Sequence, residues 1–446
     1  MTQSDAVRER KSKSKGKSRK SRDEKPEEEN DKAEGGRKPD VDCDENSVGN
    51  DKSSTEPTEQ RKSKRQRNKG KGNGEKESYT LLSAACGKLK YVFLIIFVPP
   101  FLNYASLQRE TVELRPPGEL YDIGWGQKLF LSCQGQGPPT VVLDAPTGMS
   151  SDVWTAVVEK LSQHANVCVY DRAGIGFSER PINRSGTTAK TEDSPQFTQS
   201  HDADRWQPFT VERMVDDLSH LISSSSQQPK PLILVGAELG AVVAQFFAHI
   251  YEADTLGLVL VNPLPDGIFE QTDGAWSHHW FNSVSPTYQT FQLGAALGFT
   301  RLGLLIGALN QPITGQYVPE EVIIRQKHLL CHPRHLSSVV DEHYFINETL
   351  SQLRTLRMVK PLANNISVSI LTGNYYDEQM PAHLNKAWAR AEQLLLSKYF
   401  PHAQHLVVNG ADRHIMYRKP EPIIEAVTRL IRRWKKSQTL KGSKSS

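Results

Sequence analysis

The chain has 446 residues, a formal net charge of +4 and 37% hydrophobic residues, which at about 100 to 200 residues per domain allows two or three domains. Its five cysteines have no short regular spacing, which excludes a disulfide framework and a cysteine-based metal site. The composition is uneven along the chain, because charged and small polar residues dominate its first part.

Residues 1–79 are predicted to form a disordered tail. They contain almost no aromatic or branched apolar residue, so they cannot bury enough surface to offset chain entropy. Two basic runs, 11–15 and 61–67, are compatible with binding nucleic acid, acting as an import signal or lying on anionic lipid. A plain solvated tail is the simplest interpretation. No nucleic-acid partner is expected, because a membrane segment follows and favours a membrane-proximal role.

An apolar run from Tyr91 to Leu107 predicts a membrane anchor, near the lower limit of about 17 residues for a spanning helix. Pro99 and Pro100 interrupt it, so a kinked or re-entrant segment stays possible. The basic residues lie on its amino side, and the positive-inside rule therefore predicts a cytosolic tail and a lumenal or extracellular folded domain. Three sequons, at Asn183, Asn347 and Asn365, add weak support.

After residue 110, short apolar runs alternate with segments of helical length. Near-continuous apolar strands bounded by amphipathic helices predict a parallel sheet that is covered on both faces. The predicted strands are 129–133, 140–143, 167–170, 231–235, 258–261, 368–372 and 405–408, and the main helices are 152–163, 211–223, 241–247, 382–398 and 420–435.

The strand 231–235 runs into Gly236-Ala237-Glu238-Leu239-Gly240 and then directly into a helix. This is the pattern of the Gly-x-Ser-x-Gly nucleophile elbow, with a glutamate where the nucleophilic serine would stand. The stretch from Lys230 to Tyr251 contains no serine, threonine or cysteine that could replace it. Glu238 is therefore the residue on which the chemistry depends.

Over residues 119–436 the chain resembles the α/β-hydrolase fold superfamily. Besides the elbow, three segments carry the resemblance: a strand and loop at 141–154, an Asp-x-Arg-x-x-Gly-x-Ser turn at 171–178, and a histidine loop at 413–422. The resemblance implies an α/β fold with a mostly parallel, doubly wound sheet and a helical cap, here about residues 265–360. A polar insert at 183–207 replaces a short connection. Cys133 and Cys168 would lie on neighbouring strands, where a bridge is conceivable but two small core residues are expected.

The family pattern implies a base at His414 and an acid at Asp377, with Asp266 and Asp412 as weaker candidates. The backbone N–H groups of Thr147 and Leu239 would form the oxyanion hole. Pro146 stands where the family has a glycine, which makes the shape of that loop uncertain.

Relatives that cleave haloalkanes and epoxides use an aspartate at the elbow, and glutamate is one methylene longer. Its carboxylate could fold towards the helix amino terminus and fill the oxyanion hole itself, or it could pair with a protonated His414. Both arrangements predict a closed, unreactive pocket. The prediction is thus a membrane-anchored, hydrolase-like pseudoenzyme, and the alternative is an acyl ester or epoxide hydrolase that uses Glu238 with His414.

The apolar stretch 291–309 predicts a cap helix that lines an apolar pocket. The expected partners are the lipid bilayer, an apolar or lipid-like small molecule and conceivably a protein. No cofactor or metal is expected, since the histidines of the cap lack the spacing of metal ligands.

Overall fold

The computed structural model describes residues 73–124, 126–181, 209–270, 274–311, 313–374 and 380–442. Most of the predicted tail, the polar insert at 183–207 and Asp377 therefore lie outside the described residues. The description below covers the described ranges.

The first element is a long helix, α1, from Asn73 to Glu113. It begins inside the segment predicted as tail and includes the whole predicted anchor. Both Pro99 and Pro100 lie within the helix, and the chain does not reverse there. Residues Lys90–Glu113 are long and apolar enough to cross a membrane, which is weak evidence by itself.

One sheet of eight strands forms the centre of the domain, in the order β1-β2-β4-β3-β5-β6-β7-β8. Strands β3 to β8 run parallel, as the apolar runs predict, whereas β2 is antiparallel to both β1 and β4. The short strand β1 has no counterpart among the predicted strands. The bounds are β1 Glu119–Asp122, β2 Lys128–Gln134, β3 Thr140–Asp144, β4 Asn166–Tyr170, β5 Leu232–Ala237, β6 Thr255–Val261, β7 Ser367–Gly373 and β8 Gln404–Val408.

Helices cover both faces of this sheet, and each face has its own apolar core. One core includes the residues of the elbow helix α4, and the other includes those of α2 and of the carboxy-terminal helix α13. The helices outside the cap are α2 Thr155–Leu161, α3 Val211–Ser225, α4 Leu239–Ile250, α11 Ala382–Tyr399, α12 Ile415–Arg418 and α13 Glu421–Gly442.

The cap consists of the helices between β6 and β7. They are α5 Ala275–His279, α6 Ser285–Ala296, α7 Phe299–Leu305, α8 Glu320–Leu330, α9 Pro333–Tyr344 and α10 Ile346–Val359, with a π-helical turn at Trp280–Val284. Because the cap follows the carboxyl end of β6, it lies over the edge of the sheet where the parallel strands end and where sites of this architecture form.

The expectation for the cysteines was wrong. Cys133 and Cys168 form a disulfide bond between β2 and β4, where they lie directly opposite each other. In this antiparallel pair of strands the two side chains point to the same face of the sheet. Cys331 is a free, buried cysteine of the cap.

Candidate functional site

The elbow has the geometry that the sequence pattern predicts. Glu238 connects β5 to α4 with φ 48° and ψ −108°, a conformation that costs energy for a residue with a side chain. Its glycines are required by close packing, because a Cβ at Gly236 would lie 2.1 Å from the oxygen of Gly240. A Cβ at Gly240 would lie 2.5 Å from the oxygen of Asp144. The Glu238 side chain is consequently held at the carboxyl edge of the sheet.

The loop after β3 is fixed by Arg172, the arginine of the Asp-x-Arg turn. The Arg172 guanidinium donates to the carbonyl oxygens of Ala145 at 2.7 Å and Pro146 at 2.9 Å. It also pairs with the carboxylates of Asp144 at 2.6 Å and Glu342 at 2.7 Å. The two carbonyl contacts hold the loop in one conformation, although proline replaces the glycine usual in the family.

Glu342 extends this network into the cap. It lies on α9, and its carboxylate also accepts the Gly148 backbone N–H at 2.7 Å. Arg172, Asp144 and Glu342 are all buried. A buried charge network of this kind costs much free energy when one partner is lost, so the cap and the loop should keep one relative position.

The Glu238 carboxylate lies near the Thr147 backbone N–H. Burial raises the pKa of Glu238, and the positive charges of Arg413 and Arg172 together with this N–H group oppose the rise. Glu238 is half-buried and lines two clefts, and the effect of burial on its pKa dominates. The carboxylate thus lies near one of the two N–H groups that the sequence assigns to the oxyanion hole.

Thr147 and Leu239, the two predicted oxyanion donors, flank the elbow. Thr147 is buried, and its Oγ1 has no hydrogen-bond partner among the described residues. Leu239 is fully buried and is the first residue of α4, so its N–H is one of those that a helix leaves unpaired at its start. Both predicted donors thus belong to segments that adjoin Glu238, and their role as an oxyanion hole stays a prediction.

Two residues next to Glu238 were not predicted. Arg413 precedes His414 in the histidine loop, and its guanidinium lies 5.5 Å above the centre of the Trp388 ring. Tyr288, on α6, has a pKa that burial raises and that the nearby Glu238 carboxylate raises further. An arginine or a tyrosine in a loop or helix has no distinctive spacing, so the sequence offered no signal for either.

His414 lines the same cavity as Glu238. Burial lowers the pKa of His414, and Arg418 and Arg413 lower it further against the opposing effect of Asp412. The imidazole is therefore neutral near pH 7, and its ring stacks on that of Tyr417 at 5.3 Å between centroids. Among the described residues no hydrogen bond or ion pair joins Glu238 to His414. The arrangement matches a carboxylate held by the loop and not one paired with a protonated histidine.

The assignment of Asp377 as the acid that orients His414 stays a prediction, because Asp377 lies outside the described residues. The structure does not bring Asp266 to His414, since Asp266 forms a buried ion pair with Arg357 at 2.8 Å. Asp412 accepts the backbone N–H of His414 at 2.9 Å and pairs with Arg418. Asp412 therefore shapes the histidine loop rather than orienting the imidazole ring.

Asn262 is a further positioning residue that the sequence did not reveal. It follows β6 with a positive φ of 43°, and its Oδ1 accepts the Gly373 backbone N–H at 2.9 Å. Its Nδ2 donates to the carbonyl oxygen of Arg413 at 3.2 Å. One side chain thus ties the end of β7 to the histidine loop.

A cavity of about 590 Å³ lies between the elbow and the cap. Aromatic and aliphatic side chains of the cap form much of its wall, and Glu238, Arg413 and His414 contribute polar groups. A volume of this size suits a small organic ligand. A larger surface groove of about 1010 Å³ between α2 and α13 contains none of the elbow or histidine-loop residues, and we do not assign the site there.

Comparison with known proteins agrees with this fold. The family model described as alpha/beta hydrolase fold matches residues 139–297. The protein YqjL of Bacillus subtilis (strain 168) is 25% identical over 130 residues, 29% of this chain and 42% of that protein. The chain thus spans less than half of the length of the curated relatives that it matches.

Two solved structures illustrate the similarity in three dimensions. The Cif epoxide hydrolase from Acinetobacter nosocomialis has a TM-score of 0.53 at 13% identity, covering 74% of this chain and 96% of that chain. The epoxide hydrolase VrEH1 from Vigna radiata has a TM-score of 0.51 at 16% identity, covering 71% and 98%. At these identities the similarity establishes the fold and does not extend to the reaction.

Proposed function

Because this protein has the α/β-hydrolase fold but carries Glu238 at the nucleophile position, we propose that it is a membrane-anchored pseudoenzyme that binds an apolar ligand or a protein partner. The observation that carries the proposal is the position of the Glu238 carboxylate at the elbow, near the Thr147 N–H and Arg413, both of which lower its pKa. An oxyanion hole stabilises negative charge that develops in a transition state. A carboxylate already placed there opposes that use.

The chemistry of the elbow supports the same proposal. No hydroxyl or thiol occurs between Lys230 and Tyr251, so the acyl-enzyme route of serine hydrolases lacks its nucleophile. As a nucleophile, Glu238 would have to leave the Thr147 N–H and the neighbouring Arg413, both of which stabilise its charged form. A shift of about 1 Å from productive geometry is enough to cost on the order of 100-fold in rate.

The cavity wall supports an apolar or lipid-like ligand. Trp276, Trp280, Phe291, Leu329 and Leu336 are among its lining residues. These aromatic and aliphatic side chains form an apolar part of the wall, beside polar groups that come from both the elbow and the cap. A mixed wall of this kind suits a lipid-like molecule that has polar as well as apolar parts.

The disulfide and the sequons support a lumenal or extracellular domain. A bond between Cys133 and Cys168 is typical of oxidising compartments, which agrees with the topology expected from the basic residues before α1. Asn347 and Asn365 are exposed, and Asn365 lies in a turn before β7, as an acceptor of glycans requires. Loss of mass on glycosidase treatment would support this placement, whereas a glycan-free domain that proteases reach from the cytosol would contradict it.

Turnover assays with the purified full chain test the pseudoenzyme proposal. A panel of acyl esters and epoxides is compared between the natural protein, Glu238→Gln and His414→Ala, with an environment-sensitive fatty-acid probe added to measure binding. We expect background rates in all three proteins together with saturable probe binding. Activity that both substitutions abolish would overturn the proposal and establish a hydrolase that uses a carboxylate and a histidine.

A specific observation favours that hydrolase as the second candidate. Glu238 and the neutral His414 line one cavity, and a neutral imidazole can activate a water molecule as a general base. The Tyr288 hydroxyl near Glu238 could donate a hydrogen bond to a reacting oxygen. Under this alternative, Glu238→Asp should retain or raise the rate that Glu238→Gln loses.

A further inference from the structure

The outer side of the cap exposes an unusual amount of apolar surface. We call this surface the outer apolar face and define it by residues of α6, α7 and their connections: Leu293, Leu297, Phe299, Leu302, Leu305 and Ile306, which are 38% to 77% exposed. The prediction that the whole stretch 291–309 lines the pocket was therefore wrong. Phe291 lines the cavity, whereas α7 turns its leucines outward.

Charge is nearly absent from this part of the chain. Between Asp273 and Glu320, Arg301 is the single Lys, Arg, Asp or Glu residue in the sequence, although such residues make up 24% of the whole chain. The Arg301 guanidinium forms a two-pronged ion pair with the Glu110 carboxylate of α1, at 2.5 Å and 2.7 Å. The one charge is thus neutralised by the anchor helix, and the outer apolar face carries no charged group of its own.

The face is continuous with α1. Gly298 packs so closely on the anchor helix that a Cβ there would lie 2.2 Å from the oxygen of Pro99. Asn103 is buried in the same contact, and its Nδ2 donates to the carbonyl oxygens of Ala295 at 2.8 Å and Cys331 at 3.1 Å. These contacts join the outer apolar face to the exposed apolar side chains of α1 between Tyr91 and Leu102.

We propose that the outer apolar face inserts into the lipid bilayer beside α1. The part of α1 before Asn103 that exposes apolar side chains spans only about 18 Å at 1.5 Å per residue, which is less than the hydrocarbon thickness of about 30 Å. The outer apolar face lies beside it at the level of Pro99. Isolated large apolar patches on soluble proteins are uncommon, and the uncharged, anchor-linked surface suits hydrocarbon.

This insertion places the cavity next to the bilayer. Tyr288 and Phe291 line the cavity from α6, and Leu293 and Leu297 face outward at the end of the same helix. A lipid-like ligand could therefore pass from the bilayer to the elbow past one helix, without crossing water. The inference rests on the proposed membrane anchoring and goes further by naming the surface and the source of the ligand.

Depth-dependent quenching in vesicles tests the insertion. Cys43 and Cys86 are first replaced by serine in the full chain, since Cys331 is buried and Cys133 is bonded to Cys168. Leu305→Cys is then labelled with a nitrobenzoxadiazole dye, and the protein is reconstituted in vesicles of phosphatidylcholine with a minor share of phosphatidylserine. We expect doxyl-labelled lipids to quench the dye and aqueous iodide not to.

Labels at two other positions serve as controls for the label at 305. Phe97→Cys reports the anchor, and Ser224→Cys reports an exposed site before β5, at the edge of the sheet opposite the cap. Iodide should quench the dye at 224 and doxyl lipids the dye at 97. If iodide quenches the dye at 305 while doxyl lipids quench the dye at 97, α1 enters the bilayer but the outer apolar face does not, and the proposed insertion is wrong. Absence of lipid quenching at 97 would overturn the anchoring as well. Protection of 305 from both quenchers would overturn lipid contact in favour of a second copy or another protein.

Discussion

The two surfaces of the cap are built in opposite ways. Towards the sheet, Glu342 of α9 joins Arg172 and Asp144 in a buried network of charges. Away from the sheet, α6 and α7 expose leucines, and their single charge is paired with α1. The contrast teaches that the cap is fixed to the elbow by specific polar contacts and that its outer surface is suited to non-specific apolar surroundings.

The largest expected effect comes from removing the charge that holds the inner surface. Arg172→Ala leaves the carboxylates of Asp144 and Glu342 buried without a counter-ion, which should cost about 3 to 5 kcal/mol. Arg180→Ala is the matched control, because Arg180 pairs with Asp341 of the same helix α9 at a partly exposed position and should cost about 1 kcal/mol or less. Urea unfolding in detergent measures both.

Equal losses of stability in Arg172→Ala and Arg180→Ala would contradict the role of the buried charge network in holding the cap to the sheet. Arg172→Lys serves as a second variant in case Arg172→Ala does not fold. It retains the charge but cannot donate to two carboxylates and two carbonyl groups in a fixed plane. Its loss of stability should therefore fall between those of the two alanine variants.

The disulfide provides a reference outside the cap. Replacing Cys133 and Cys168 together by alanine releases a loop with a sequence separation of 35 and should lower the free energy of unfolding by about 3 to 4 kcal/mol. Maleimide labelling of the denatured, unreduced natural protein should modify three of its five cysteines, since two are bonded to each other. Labelling of all five would show that the bond does not form.

Truncation of one leucine on each surface of the cap compares the inner and the outer surface directly. Leu336→Ala on α9 removes a buried side chain that packs with Ile175 and Val339 and should cost about 2 to 5 kcal/mol. Leu305→Ala on the outer apolar face should change the stability in detergent by no more than about 0.5 kcal/mol. Thermal unfolding followed by near-ultraviolet circular dichroism checks both, and an equal loss at the two positions would remove the distinction between the surfaces.

The smallest expected effect concerns Glu238 and depends on pH. Because the folded-state pKa of Glu238 is raised above its ordinary value of 4.5, the stability that its protonated form contributes is complete below that value. It is lost as the pH rises through the raised pKa. Glu238→Gln should thus be more stable than the natural protein near about pH 8, by on the order of 1 kcal/mol.

That advantage should shrink as the pH falls from the raised pKa towards about 4.5, and it should be gone below that value, where the carboxyl group is protonated in the folded and the unfolded chain. Glu425→Gln is the control, since Glu425 is exposed on α13 and its loss should leave the pH profile nearly unchanged. Melting temperatures of the natural protein and both variants, measured over this pH range, test the prediction. A constant difference between Glu238→Gln and the natural protein would show that Glu238 is not the titrating group.

Much of the fold could be predicted because its strands and helices carry clear local patterns. The buried parallel strands are continuous apolar runs, and β5 with its elbow glycines was located to within one or two residues. β1 was missed because its exposed sequence has no apolar run, with three of its four residues exposed. The disulfide was misjudged although its cysteines were expected on neighbouring strands, because the sequence does not report the register that places Cys133 of β2 directly opposite Cys168 of β4.

The candidate site was only partly predictable. The identity of Glu238 and the presence of His414 follow from motifs that keep their order in the chain. Arg413 and Tyr288 were missed, since their role depends on the direction in which a loop and a cap helix point. The link between Arg172 and Glu342 joins residues 170 positions apart, and no local pattern records such a contact.

The amino-acid sequence by itself determined the order of strands and helices, the apolar segment of α1 and the carboxylate at the elbow, because periodicity and local motifs report burial and turn geometry within single elements. The tertiary structure alone decided that this carboxylate lies near the Thr147 N–H, that buried charges join the cap to the loop after β3 and that α7 faces outward. These features arise where elements distant in the chain meet, and the free energy of such contacts depends on their shared geometry rather than on neighbouring residues.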